Sequence, residues 1–485
     1  MQELPEHTAG RKERLQISHE PVPERDPHQR IHDFQEIVLG YDAATAMQEA
    51  SRCLQCPQPS ACVVARPLHN DIPGALWLIA QGDFLGAAMR YRQTSSFSEI
   101  CGRVCPQERL CEGACVLSRG HEAPSLGKLE MFVADYLRAA GGPTAERVPY
   151  TGLDVAVVGS GPAGLAAAEA LARRGHYVTV YEAAPHPGGL LLYGIPNFKL
   201  PKHLIEEKVN HLMEMGVKFV CNTRIGQSVT VDDLFLADFK AVFLAVGANV
   251  DTKLKAPGVN LKGVYLSGDF LLHSQPAQYL ASDGPAQPPI VGRRVAVFGG
   301  GDTATDCLRT SLRLGAEEVV CYYRRTEAEM PGSRPERLHA VEEGARIEYL
   351  VAPVAFKGDE QGHVCAVELQ RMGLGEPDAS GRRRPVPVPG SEFTVPVDTV
   401  ILALGYGADE TVAKSVAGLE THDWGLISAD NTGRTSRPGV FAAGDAVTGP
   451  DLVSTAVAAG LRAAEAIDTY LRASQPAGRP VAEPA

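Results

Sequence analysis

The sequence predicts an α/β protein in which a helical, cysteine-bearing N-terminal domain precedes two Rossmann-like units, the second inserted into the first. Three observations lead there. Glycine-rich turns recur at Gly159 and Gly299, each between a β-branched run and an Ala/Leu-rich stretch, the mark of strand–turn–helix units on parallel sheets. Seven of the eleven cysteines fall between Cys53 and Cys115, ahead of both turns. Past the second unit, "VPVDTVILALGYG" reads as sequence of the first unit resuming. The expected boundaries are 1–145 for the helical domain, 150–285 and 396–475 for the first unit, 290–395 for the second, and 476–485 for a disordered tail.

Along the chain, "AATAMQEASRCL" and "LEMFVADYLRAA" carry helical apolar spacing. "GGPTAERVPY", Gly141 to Tyr150, reads as a linker, and "SQPAQYLASDGPAQPPIVG" as another before Arg294. The 485 residues are 44% hydrophobic and 21% charged, the composition of a globular protein with sizeable cores. With 46 basic against 58 acidic residues the net charge is −12 and no basic block occurs, which argues against nucleic acid or an anionic membrane as partner. The start, MQELPEHTAGRKER, has no apolar core, and runs such as "FLAV" and "VILAL" are too short to span a bilayer. The cytoplasm is the expected location. A disulfide framework does not suit such a chain. Cys221, Cys307, Cys321 and Cys365 stand alone and read as core residues, leaving the N-terminal cysteines as candidate metal or cluster ligands.

In "DVAVVGSGPAGLAAAEALARRGHYVTVYEA", Gly159, Gly161 and Gly164 occupy the three places of a dinucleotide fingerprint. The first permits the turn, the second lets backbone approach a pyrophosphate, and the third packs helix on strand. The helix start, Ser160 to Ala163, offers N–H groups and a positive dipole end to phosphates. Glu182, eighteen residues after Gly164, stands where a carboxylate accepts ribose hydroxyls, which suits NAD or FAD. A distant segment favours FAD. "GRTSRPGVFAAGDAV" places a strand before Gly444 and Asp445, and "LVSTAVAAGLRAAEAI" follows as a helix carrying Thr455 and Ala456. That resembles the closing motif of two-dinucleotide flavoproteins, in which the Asp holds the ribityl chain and the helix start faces the flavin. Gly189 and Leu190 complete the expected FAD contacts.

The plan repeats in "RRVAVFGGGDTATDCLRTSLRLGAEEVVCYYRRTEAEMPG". Gly299, Gly301 and Ala304 fill the fingerprint, with Gly300, Asp302 and Thr303 between them. Its second strand ends in Arg324 and Arg325 instead of a carboxylate. An arginine pair there can grip a 2′-phosphate, so NADP(H) is expected; two solvated arginines are the alternative.

With these stretches go "CLQC", "PLHNDIP", "ICGRVCPQERLCEGACVL", "GGLLLYGIPNFKLPK" and "YYRRTEAEMPG". Together they resemble the small subunit of NADPH-dependent glutamate synthase over roughly residues 25 to 470. They are also similar to the large subunit of the NADH-dependent ferredoxin:NADP oxidoreductase and to the N-terminal half of dihydropyrimidine dehydrogenase. The resemblance implies two 4Fe–4S clusters. Cys53, Cys56, Cys62 and Cys115 would hold one. Cys105, Cys111, Glu130 and the residue before Pro67 would hold the other, with Cys101 non-ligating. That last residue is Arg66, and five residues, not the family's four, separate Cys56 from Cys62. A guanidinium has no lone pair for iron, so the expectation is one secure cluster and a second that is absent, three-iron or rescued. A four-thiolate zinc site is the competing reading of the first group.

The resemblance further implies hydride transfer from NADPH to FAD, with single electrons passing to a cluster and then to a glutamate synthase large subunit or a ferredoxin-like acceptor, in a hetero-oligomer. Lys199 matches a basic position near the flavin; a surface lysine is the alternative. Three rivals share the motifs. A disulfide reductase needs paired cysteines beside the flavin, and residues 151–485 hold isolated ones. An electron-input subunit for ferredoxin or pyrimidine reduction is the second alternative. A non-catalytic cofactor-binding or assembly module, its electron path cut at Arg66, is the third.

Overall fold

Two runs of short, β-branched segments, each broken by a glycine turn and an Ala-rich helix, build two five-stranded parallel sheets. The computed structural model describes residues 10–145, 148–275, 289–378, 381–422 and 424–474. The expected tail and most of the second linker lie outside them. The strands are β1 (Asp154–Val158), β2 (Tyr177–Tyr181), β3 (Lys218–Val220), β4 (Ala241–Leu244), β5 (Val250–Asp251), β6 (Val264–Leu266), β7 (Arg294–Phe298) and β8 (Glu318–Tyr323). They continue with β9 (Arg346–Tyr349), β10 (Val351–Gly358), β11 (Val364–Pro377), β12 (Arg383–Pro396), β13 (Thr399–Leu402), β14 (Tyr406–Gly407) and β15 (Val440–Ala442).

The first sheet runs β15-β4-β1-β2-β3 and the second β6-β13-β7-β8-β9. Both are buried on two faces. Along β1, Val155 and Val157 enter one core while Ala156 and Val158 enter the other; along β7, Val295 and Val297 alternate likewise with Ala296 and Phe298. Two strands lie across the expected boundaries. β13, in the stretch assigned to the first unit, pairs with β7 and β6 in the second sheet, and β6 itself lies within the expected 150–285 segment. The first sheet resumes only at β15, which pairs with β4.

A three-stranded antiparallel sheet, β10-β11-β12, packs beside the second unit and has no counterpart in the sequence reading. β12 carries Pro385, Pro387, Pro389 and Pro396, which reads as loop. It is an edge strand, where missing N–H donors are tolerated.

The N-terminal region is helical, with helices Ala43–Ser51, Ile72–Ala80, Phe84–Arg92, Ser98–Val104 and Leu126–Ala139. One core of its own gathers Ile72, Leu76, Tyr91 and Leu129. Phe97, Ile100, Cys101 and Cys105 instead join the core of the first sheet, so this region is welded to the first dinucleotide unit. Among the described residues no helix is long and apolar enough to cross a membrane.

Buried charge clamps the three parts together. Arg30 donates to Glu343 at 2.7 Å and Glu342 at 3.0 Å. Arg309 reaches Glu336 at 2.6 Å and Glu343 at 2.9 Å, and both Arg309 and Arg313 stack over Phe198. Burial pushes the Glu336 and Glu343 carboxyls up, but the lysine and arginines around them outweigh it and hold both at about 2. In the unfolded chain they bind protons near the ordinary 4.5, so unfolding takes up protons below that pH. Stability is therefore present above 4.5 and lost as pH falls toward 2, by up to roughly 3 kcal/mol per carboxylate. Denaturation midpoints from pH 7 down to 3 should fall steeply, and Glu343→Gln should flatten that slope while weakening the protein at pH 7. An unchanged slope would refute the clamp.

Candidate functional site

The first glycine turn has the geometry that a bound dinucleotide requires. Gly159 has φ +99, and a Cβ on it would lie 2.4 Å from the Ala245 carbonyl. A Cβ on Gly164 would lie 2.0 Å from the Gly159 carbonyl, so only glycine lets helix Pro162–Ala172 approach β1 this closely. Gly161 is different: a Cβ there would meet nothing within 4 Å. Its backbone faces the open cradle at the helix start, with Pro162 in the first helical position.

Other expected residues converge on this cradle. Gly189, at φ +53, abuts Gly161: its Cβ would stand 2.8 Å from the Gly161 Cα. Gly444 packs toward Ala163 and Ala456, with a hypothetical Cβ 3.1 and 3.7 Å from theirs. Helix Val453–Ala473 thereby brings Thr455 and Ala456 against helix Pro162–Ala172, and Thr455 Oγ1 donates to the Leu452 carbonyl at 2.7 Å. Leu190 is half exposed at the rim. Asp445 starts a short helix, and burial pushes its carboxyl up to about 7. Glu182 ends β2 as expected. Its Oε2 accepts from the Ser160 backbone N–H at 3.1 Å and from Ser160 Oγ at 2.5 Å, and its Oε1 from the Ala184 N–H at 2.8 Å. The carboxylate therefore also braces the turn, a role the sequence reading missed.

The second turn copies the first. Gly299 lies against the Ala403 carbonyl, 2.1 Å from a hypothetical Cβ, while Gly301 again faces open space. Gly300 packs on the Tyr323 ring, and Ala304 is buried under the turn. Asp302 Oδ1 accepts from the Ser333 N–H at 2.9 Å, and Gly332 N donates to the Gly300 carbonyl at 3.0 Å. A loop thus folds over Gly300, Gly301 and Asp302; Thr303 follows in helix Asp302–Arg313. Arg109 of the N-terminal region donates to Pro331 of that loop at 2.6 Å.

The two arginines after β8 part company. Arg325 is buried and donates to the Arg383 carbonyl and to Asp378, both at 2.7 Å, so it is committed to the β11–β12 hairpin. Arg324 is exposed and makes no ion pair among the described residues. The expected pair is therefore corrected to a single candidate, Arg324. Lys199 is buried, against the surface-lysine alternative, and its charge is shared with carboxylates. Its Nζ lies 3.3 Å from Asp306 and 3.9 Å from Glu336. Burial works against the ammonium, and these carboxylates outweigh it and raise it above the ordinary range. Lys202, three residues on and unremarked in the sequence, is buried. It donates to the Leu191 carbonyl at 2.8 Å and to that of Ile195, and burial pushes it down to about 7.

Cys53, Cys56, Cys62 and Cys115 line one pocket at the edge of the helical domain. Gln55, at φ +51, turns the chain between the first two. Burial pushes the Cys53 thiol up to about 12, with Cys62, Cys115 and Cys56 adding to it; four thiolates here need cations among them. Among the described residues no three cysteine sulfurs fall within 4.8 Å of one another. Four thiolates round one pocket are a ligand set for a 4Fe–4S cluster or for a tetrahedral zinc.

The other proposed ligand group is already occupied by the protein itself. Arg66 Nη2 stands 2.6 Å from both Glu130 oxygens, with the two side chains 5% and 1% exposed. Glu130 outweighs burial and keeps the guanidinium charged. Cys105 and Cys111 are buried nearby, as is Cys101. These residues do not fit a second four-iron centre.

Comparison with known proteins agrees with this layout. The model of the pyridine nucleotide-disulphide oxidoreductase family matches residues 153–460, and that of dihydropyrimidine dehydrogenase domain II, 4Fe-4S cluster, matches residues 30–142. The chain is 45% identical to the putative oxidoreductase AegA of Escherichia coli, covering 90% of this chain and 67% of that one. It is 41% identical to the glutamate synthase [NADPH] small chain of Escherichia coli, covering 90% and 94%. In fold it is similar to Mycobacterium tuberculosis FprA in complex with NADPH, with a TM-score of 0.56 and 22% identity over 67% of this chain and 85% of that one. The chain belongs to the glutamate synthase small-chain family of FAD- and NADP-binding oxidoreductases with an N-terminal 4Fe-4S domain.

Proposed function

We propose that this chain takes electrons from NADPH and delivers them to a partner subunit of the glutamate synthase large-chain type. One observation carries the reading: two Cβ-free cradles at the ends of parallel strands share a single molecule with a four-cysteine pocket. FAD, when bound, supplies the exchange of a hydride for single electrons, which a 4Fe–4S cluster carries singly. The chain's own residues bind and orient. Gly161 and Gly189 leave room for a pyrophosphate, the helix start after Pro162 offers the Ala163 N–H to it, and Glu182 presents a carboxylate to the ribose. Asp445, kept near neutrality by burial, is suited to hydrogen-bond a ribityl hydroxyl, and the start of helix Val453–Ala473 lends its positive dipole end to the flavin side. At the second cradle Gly301 faces the phosphates and Arg324 the 2′-phosphate.

Charge-assisted bonds of about 1.5–3 kcal/mol set the scale for Arg324. Arg324→Ala should raise the KM for NADPH roughly ten- to hundredfold while leaving NADH oxidation unchanged. Equal loss with both nucleotides would remove Arg324 from the phosphate site. The function itself is tested by NADPH oxidation with a dye acceptor, then with a glutamate synthase large subunit and glutamine plus 2-oxoglutarate. Glutamate formation supports the reading. Dye reduction with no transfer to that subunit, but transfer to ferredoxin, replaces the partner. No NADPH oxidation by flavin-loaded chain refutes it and favours the non-catalytic module.

A further inference from the structure

The positions matched to a second cluster hold two side chains that satisfy each other. Arg66 and Glu130, 64 residues apart, meet through both carboxylate oxygens at 2.6 Å. Neither is available to iron. The guanidinium offers donors alone, and both oxygens of the carboxylate are turned onto that cation. What is left is thiols, and their surroundings are packed: Cys101 and Cys105 belong to the apolar core that contains Ala163 and Ala456, while Cys111 belongs to the core of the helical domain. The guanidinium also lies 5.9 Å from the centre of the buried Tyr91 ring. Charge tells the same story. Thiolates and a carboxylate round a four-iron centre leave net negative charge, whereas an arginine–carboxylate pair is neutral, each charge compensating the other where water is excluded.

We propose that the chain carries one cluster only, and that the Arg66–Glu130 ion pair is the built replacement for a second. Cys101 and Cys105 belong to the core that contains Ala163 and Ala456, and Tyr91 and Cys111 to the core against which Cys53 and Cys62 pack. The neutral pair borders residues of both cores. This inference rests on the four-cysteine reading above for the count of one.

Iron and acid-labile sulfide are to be counted per flavin in the purified full chain, in Arg66→Cys and in Arg66→Met. Both variants break the ion pair; Cys alone adds a ligand. The wild type should hold about four of each, Arg66→Met about four, and Arg66→Cys, after anaerobic reconstitution, about eight. The reduced Arg66→Cys protein should then show an EPR spectrum broadened by coupling between two centres, absent from the wild type. About seven or eight irons in the wild type, or a flavin-loaded Arg66→Cys that stays at four, would overturn the inference. Should Arg66→Cys fail to fold, the wild-type count still decides. An iron-free wild type beside an Arg66→Cys that gains four would overturn the four-cysteine reading and the count of one, and would support the ion pair as the replacement for a cluster.

Discussion

Gly161→Ala should yield a folded protein stripped of flavin, and Gly301→Ala a flavin-loaded protein that no longer responds to NADPH at ordinary concentrations. The contrast follows from where each glycine sits. Gly161 has φ −68 and ψ −175, and Gly301 φ −89 and ψ 178, backbone that alanine adopts without strain. Neither hypothetical Cβ meets a protein atom within 4 Å. The added methyl is therefore silent in the empty protein and collides only with what the cradle holds. Overpacking of this kind costs about 1–3 kcal/mol, or roughly 5- to 150-fold in affinity. Flavin absorbance per protein should fall in Gly161→Ala, and the KM for NADPH should rise in Gly301→Ala with flavin content intact. Gly164→Ala is the control for a structural glycine. Its Cβ would lie 2.0 Å from the Gly159 carbonyl, so it should lower stability as well as flavin content. A Gly161→Ala protein with full flavin would displace the pyrophosphate from this turn.

Those glycines were readable in the sequence because their constraint is local. A tight turn after a strand, a close helix approach and an open cradle each depend on residues a few positions apart. The strand boundaries were not. β6 is three residues long and β13 four, and a short buried run carries no label for the sheet it will join. Prolines concealed β12, since a proline-rich stretch reads as loop until its place at an edge is known. The parting of Arg324 and Arg325 was hidden too. Both lie in the bend after β8, and what separates them is that Arg325 is drawn to Arg383 and Asp378, more than fifty residues on, which no local pattern marks. The Arg66–Glu130 contact had no local trace at all; only the shared assignment of both positions to one metal site brought them together.

That contact carries the largest single stability effect expected in the chain. Arg66→Met leaves the Glu130 carboxylate buried without a partner, and Glu130→Leu leaves a buried guanidinium. Each should cost about 3–5 kcal/mol, the range for breaking a buried pair from one side. The double variant Arg66→Met/Glu130→Leu removes both charges and puts apolar volume in their place, which is often neutral or better. It should therefore recover most of the loss, giving a strong coupling in a double-mutant cycle. Tyr91 sharpens the test, because its ring faces the guanidinium and its hydroxyl has no hydrogen-bond partner among the described residues. Losing Arg66 strips a cation from that ring, so Arg66→Met should be the costlier of the two singles. The denaturant midpoint of the N-terminal region, followed by cluster absorbance, measures all three. Additive losses in the double variant would mean that each side chain is stabilised by other groups and that the ion pair is not what fills this site.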